Sequence, residues 1–282
     1  MSDFVCMIIR GILVWFLCAA LIVAAEVRKA VTFAALPAPV QRTIQTQAGN
    51  GRLGEIERVE EDGEVSFEAV ITKDGRERDN TVGEDGSLWS LEVTLAETPA
   101  AVQKTVKAQV GAGQLVSVDR TFDFGEVSYE VTMTTKDGQE RAFTVEENGT
   151  LSSMEVALAE TPAAVQKTIT GQVGAGKLDG ITKFFDDGGI YEVGMTAADG
   201  REREFSVRAD GRMLSIKVTL AETSPEVQKT IREQIGTGKI LRIDKSFERR
   251  NKTLPYEVEG MKDGKPFNFS VGAAGKFLGL DP

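Results

Sequence analysis

The sequence predicts an α+β fold built as four tandem repeats, each one helix packed on one face of a four-stranded antiparallel sheet. Three observations predict it. The phrase LAETPAAVQKT at Leu95–Thr105 returns unchanged at Leu158–Thr168 and, edited to LAETSPEVQKT, from Leu220. Its Val-Gln pair recurs at Val40, Val102, Val165 and Val227, spaced 62, 63 and 62 residues apart. After each pair, apolar and polar residues alternate with period two between Gly turns, as in a sheet covered on one side only.

The first element in the chain is a leader. Arg10 precedes an uncharged apolar run from Gly11 to Ala25. That run has the length of a signal-peptide core and falls short of the ~20 residues of a membrane span. The small residues Val23 and Ala25 place cleavage after Ala25. Residues 1–25 are therefore read as a signal peptide and 26–34 as an N-terminal linker. Membrane contact is expected only where the leader escapes cleavage and stays as an anchor. The repeats then occupy 35–95, 96–158, 159–220 and 221–282.

Each repeat opens with a helix. Thr161 is the expected N-cap, Pro162 suits the first helical position, and Glu160 adds negative charge at the positive end of the helix dipole. Val165, Ile169 and Val173 fall four apart on one stripe, and Gly174 ends the helix. The other copies repeat the stripe as Val40-Ile44-Ala48, Val102-Val106-Val110 and Val227-Ile231-Ile235. A helix this short is marginal alone and must pack on something.

The strands supply that surface. In the third repeat Tyr191, Val193 and Met195 alternate with Glu192, Gly194 and Thr196. Phe205 and Val207 alternate with Glu204, Ser206 and Arg208, and Leu214, Ile216 and Val218 with Ser215 and Lys217. Trp89 has the parity of Leu91 and Val93 and is read as core. The Asp-Gly pairs at Asp74, Asp137, Asp199 and Asp263 are read as hairpin turns, since a calcium loop needs several oxygen ligands at set spacing.

Composition then excludes chemistry. The chain has no histidine, and both cysteines, Cys6 and Cys18, lie in the leader. Ser-His-Asp and Cys-His catalysis, imidazole bases and His-ligated zinc are thereby removed. With 33 basic against 43 acidic residues and a net charge of −10, the chain is a poor match for a phosphate backbone. No nucleic-acid partner, catalytic residue, cofactor or metal is expected, and the chain is not read as an enzyme.

Helix, then YEV, then KDG(R/K), then a strand closing on a second Gly turn is clearest in VSYEVTMTTKDGQERAFTVEENG (Val127–Gly149) and IYEVGMTAADGREREFSVRADG (Ile190–Gly211). This succession resembles the PepSY-like family, exported bacterial modules related to the tandem α+β repeats of beta-lactamase inhibitory protein. The resemblance spans roughly residues 35–282. It implies binding or inhibition of another protein, conventionally a peptidase or hydrolase, through the open sheet face. Four copies depart from the two-repeat inhibitor. The expected role is an exported, periplasmic or secreted, non-catalytic protein-binding array; the alternative is a scaffolding repeat protein of the cell envelope.

The candidate partner-binding residues follow from the alternation. Apolar strand residues are used under the helix, which leaves Glu68 and Glu92 in the first repeat and Glu130 and Glu155 in the second. The third contributes Glu192, Glu204, Arg208 and Lys217. This face carries no expected aromatic anchor of the kind that dominates binding hot spots. A basic column at Arg58, Arg120, Lys183 and Lys245 is read as cross-strand charge pairing. The irregular stretch SFERRNKTLPYEV at Ser246–Val258, with Arg249, Arg250 and Lys252, is read as a solvated hairpin.

Overall fold

A computed structural model describes residues 27–61, 64–123, 125–186, 188–248, 254–262 and 265–280. The expectations for the leader, for Asp263-Gly264 and for the Arg249–Lys252 cluster fall outside these residues. The fold is α+β, and the chain divides into two compact units, Met1–Thr150 and Leu151–Pro282. No described helix is long and apolar enough to cross a membrane.

The first unit runs β1 (Val27–Ala30), α1 (Ala38–Ala48), β2 (Arg52–Glu61), β3 (Glu64–Lys73), β4 (Arg76–Gly83), β5 (Leu88–Glu92), α2 (Ala100–Val110), β6 (Gln114–Asp123), β7 (Glu126–Thr134) and β8 (Glu140–Glu146). Its strands pair antiparallel in chain order from β1 to β8. The second unit runs β9 (Leu151–Glu155), α3 (Ala163–Val173), β10 (Lys177–Phe184), β11 (Ile190–Thr196), β12 (Glu202–Arg208), β13 (Met213–Lys217), α4 (Pro225–Ile235), β14 (Lys239–Ser246), β15 (Pro255–Lys262), β16 (Lys265–Pro266), β17 (Phe269–Gly272) and β18 (Phe277–Leu280). Here too neighbours in the chain pair antiparallel, with β17 pairing β15 beyond the two-residue β16.

Each helix seals one face of the strands that follow it. Beneath α3, Val165 and Ile169 meet Ile181, Tyr191, Val193, Met195, Phe205 and Val207 in one core. Under α4 the core is Val227, Ile231, Ile235, Ile243, Tyr256, Val258, Phe269 and Val271. Burying one such aliphatic side chain contributes about 1.5–3 kcal/mol, which holds an otherwise marginal helix in place.

The repeated phrase works as a clasp around the helix start. Leu158–Glu160 forms a 3-10 turn, closed by Ala157 N–H donating to Glu160 Oε2 at 2.7 Å. Thr161 Oγ1 donates to Leu158 O at 2.9 Å, and Gln166 Nε2 donates to Thr161 O at 2.8 Å. Thr168 Oγ1 then reaches the second Gly turn, donating to Gly211 O at 2.6 Å. Gly211 has φ +86°, and a Cβ there would lie 2.7 Å from Ala164 O. The same threonine-to-glycine bond recurs from Thr43 to Gly86, Thr105 to Gly149 and Thr230 to Gly275, each 2.6 Å. Thr161 is therefore not the N-cap. Pro162 occupies that position and Thr161 bonds backward, because its hydroxyl is taken by the 3-10 turn. Only α4 has a side-chain N-cap among the four, Ser224 accepting from Val227 N–H.

Arginines on the sheet tighten the clasp. Arg78 on β4 donates to Glu97 at 2.8 Å, and Arg203 on β12 to Glu222 at 2.6 Å. The Arg78 bond, with the Thr94 N–H and hydroxyl, holds the Glu97 carboxyl down at about 2.

Two further expectations are corrected. The described part of the expected 26–34 linker is more than a linker: β1 pairs with β2 from Val27↔Glu60 to Ala30↔Glu57. Val31 N–H donates to Ile56 O at 2.9 Å, the bond that Val93, Val156 and Val218 make to Val118, Ile181 and Ile243. The segment covers the edge of β2 as β5, β9 and β13 cover β6, β10 and β14. Second, Trp89 and Leu214 are not part of the helix-side cores. A register shift in β4–β5 sets Leu88 against Val82, and one in β12–β13 sets Met213 against Val207. A bulge adds one residue and reverses the parity beyond it.

Candidate functional site

The faces turned away from the helices carry the candidate residues. On β12 Phe205 and Val207 belong to the α3 core, so Glu204, Ser206 and Arg208 point the other way. The register then decides their neighbours. Lys217 on β13 lies across from Asp244 on β14, and Asp244 across from Glu257 on β15.

Arg242 organises this patch of the second unit. Its guanidinium bonds both Glu204 and Asp244, reaching Asp244 Oδ1 at 3.0 Å through a second nitrogen. Lys217 Nζ stands 3.7 Å from Glu204 Oε1. Desolvation works to raise the Glu204 pKa, but Arg242 and Lys217 outweigh it and leave it lowered. Glu192 is exposed, yet desolvation over the strands is the main influence on its carboxyl and pushes it up; Arg242 opposes, while Glu204 and Asp244 add to the rise. Arg208 is separately paired with Glu248 at 3.0 Å.

The first unit arranges its carboxylates differently. Arg28 on β1 bridges Glu68 at 2.6 Å and Glu57 at 3.2 Å. Farther along, Glu92 lies across from Asp119, and Asp119 across from Glu130. The backbone N–H of Asp79 on β4 donates to Glu92 Oε2 at 3.3 Å, and the Asp79 charge reaches Asp119. Desolvation pushes the Asp119 carboxyl up to about 6; Ser117 opposes through a hydrogen bond, and Glu92 and Asp79 push the same way. Among the described residues no group of three or more acidic side chains is placed to hold a metal ion.

Of the eight candidates, the structure joins Glu204 and Lys217 in one network with Arg242 and Asp244 and seats Glu192 within its field. It places Glu92 and Glu130 on either side of Asp119. It sets Glu155 on β9 across from Thr182, separate from the Glu204 patch by register. Glu68 and Arg208 belong to local ion pairs.

Sequence reasoning missed Arg242, Asp119 and Trp89. A Cβ on Gly83 would lie 2.6 Å from Trp89 Nε1, and Gly83 pairs with Ser66 on the side opposite Phe67 and Val82. The half-buried indole therefore lies on the open face, and the expectation of a face without an aromatic anchor is corrected. The basic column is also corrected. Arg58, Arg120, Lys183 and Lys245 lie across from Phe67, Tyr129, Tyr191 and Tyr256, on the helix side. Three of them sit over aromatic rings, Phe122, Phe185 and Phe247, at 5.0, 4.6 and 5.7 Å. Cation–ring contact therefore holds these three, while Arg58 pairs with Glu60 on its own strand at 2.8 Å and Arg120 also stands 3.9 Å from Glu147.

No family profile matches the chain, and no curated protein matches it. Solved structures share local similarity with it. A DUF2874 family protein from Bacteroides ovatus is 16% identical over 43% of this chain and 86% of its own, with a TM-score of 0.33. A Bacteroides thetaiotaomicron protein provisionally described as periplasmic and calcium-regulated is 20% identical over 45% and 95%, with a TM-score of 0.31. The C-terminal domain of YpeB from Bacillus megaterium is 12% identical over 67% and 97%, with a TM-score of 0.21. Likeness at these scores carries no functional argument, so function has to be read from the chain's own surfaces.

Proposed function

We propose that the chain is an exported, non-catalytic protein-binding array of four PepSY-like repeats that engages its partner through the open sheet faces. The observation that supports this reading is the division of labour within each sheet. Most apolar strand residues pack under the helices, while the opposite face holds ordered rows of charge together with the half-buried Trp89 and the buried Leu214. An aromatic side chain amid polar groups is the composition of a binding hot spot. The absence of histidine from the whole chain and of cysteine beyond the leader supports the non-catalytic part.

The test is affinity capture from the native cell envelope with the intact chain, repeated with two variant sets. Trp89→Ala with Glu92→Gln and Glu130→Gln alters the open face; Lys167→Ala with Gln172→Ala alters the back of α3. The expected outcome is one protein captured stoichiometrically by the wild type and the helix-back variant and lost with the open-face variant. Loss with the helix-back set alone would overturn the reading. Mass spectrometry of the exported chain should find Glu26 as its first residue.

A further inference from the structure

Thr182 on β10 stands between two carboxylates. It lies directly across from Glu155 on β9 and Glu192 on β11. Its neighbour Ile181 belongs to the α3 core, so Thr182 faces the open side. The residue is only 4% exposed, yet its hydroxyl has no hydrogen-bond partner. Native proteins keep few buried polar groups unpaired, because each forfeits the hydrogen bond that water would have given it.

The position is distinctive within the chain. The strands that match β10 carry Glu57, Asp119 and Asp244 at this place; only β10 carries a hydroxyl. Arg242, the cation whose charge reaches Glu192, is already bonded to Glu204 and Asp244. What the three groups have in common is the ability to accept. Two carboxylates offer oxygens only, and a threonine hydroxyl adds lone pairs.

We infer that Glu155, Thr182 and Glu192 form a receptor for one lysine ammonium group of a partner protein. An ammonium carries three N–H donors and no acceptor, so one donor can serve each of the three groups. Its charge offsets the two carboxylates, and the buried hydroxyl gains the partner it lacks. The inference rests on the open-face reading above and names the chemistry of the contact.

The experiment titrates the intact, 15N-labelled chain with pentalysine, and separately with the same peptide acetylated on every side chain. Amide shifts should centre on Glu155, Thr182 and Glu192 with pentalysine and be absent with the acetylated peptide. Thr182→Val keeps the shape but removes the hydroxyl; it should weaken pentalysine binding about tenfold, the scale of one charge-assisted hydrogen bond, with an undiminished melting temperature. Thr182→Ser should restore most of the affinity, and Glu192→Gln should weaken it to a similar extent. Equal affinity of wild type and Thr182→Val, or shifts spread evenly over every acidic strand, would overturn the site. A captured partner indifferent to Thr182→Val would overturn this site alone. Capture lost only through the back of α3, with pentalysine still seated at Thr182, would overturn the open-face reading alone.

Discussion

Across β4 to β7 the first unit lines up Asp79, Glu92, Asp119 and Glu130; across β12 to β15 the second unit lines up Glu204, Lys217, Asp244 and Glu257. The backbone beneath is the same, with the same strand order, the same bulge after the third strand and the same clasp at the helix. Two residues make the difference. Lys217 stands where the first unit has Glu92, and Arg242 stands where it has Ser117. The second unit thereby gains a network of ion pairs, while the first raises the pKa of Asp119. The comparison teaches that the helix-side core fixes the fold and leaves the open face free to vary in charge.

The comparison assumes a common scaffold, and the largest expected effect tests that assumption. Gly149 and Gly211 have φ of +89° and +86°, and a Cβ on either would lie within 3 Å of the first turn of α2 or α3. Gly149→Ala and Gly211→Ala should each cost about 3 kcal/mol, from the left-handed backbone and the clash together. Calorimetry of the intact chain should show a drop of roughly 10 °C in the affected unit's transition. A large loss in one variant and none in the other would break the premise that the units differ only at their faces.

A smaller effect probes the network itself. Arg242→Met leaves Glu204 and Asp244 without their shared cation, and Glu192 loses the cation that opposes the rise of its pKa. The group is only partly buried, so the cost should be about 1–2 kcal/mol, below that of breaking a fully buried pair. The loss should shrink at high salt. Chemical denaturation with and without 1 M salt checks it; a cost of zero at low salt would mean that solvent already screens the network.

Much of this was legible in the sequence because the repeat writes each physical device several times. Val165 and Ile169 announce a helix face, and Tyr191, Val193 and Met195 announce a strand, through periodicity alone. The open-face membership of Glu92, Glu130, Glu204 and Lys217 followed from the same parity. What escaped was set by non-local geometry. A bulge between β4 and β5 turned Trp89 away from the core, and no local signal at Leu88-Trp89 marks it. The neighbours of Asp119 come from β5 and β7, so its raised pKa depends on register between separate stretches of chain. Arg242 was overlooked because its partner Glu204 lies two strands away. Val27–Ala30 was too short for alternation to separate strand from linker.

The last and smallest expected effect concerns Asp119, and its sign distinguishes the two units. A carboxyl raised from 3.8 to about 6 holds its proton more tightly in the folded state than in the unfolded chain. Its contribution to stability is therefore most favourable below pH 4, declines as pH rises from about 4 to 6, and is a constant penalty above that. Asp119→Asn removes the ionisation and keeps an oxygen that Ser117 can still donate to. The variant should be more stable than the wild type at pH 7 by about 1 kcal/mol, after allowing for solvent screening on a half-buried strand. The gain should vanish near pH 4, where the wild-type carboxyl is protonated when folded and about half protonated when unfolded. Glu92→Lys should reproduce the gain at pH 7 by a different route, since it places a cation beside an ionised Asp119 as Lys217 does beside Asp244. Melting curves at pH 4, 5.5 and 7 check both. A gain for Asp119→Asn that is independent of pH, or a loss at pH 7, would show that the row in the first unit carries no strained carboxylate and that the two faces differ in sequence without differing in electrostatics.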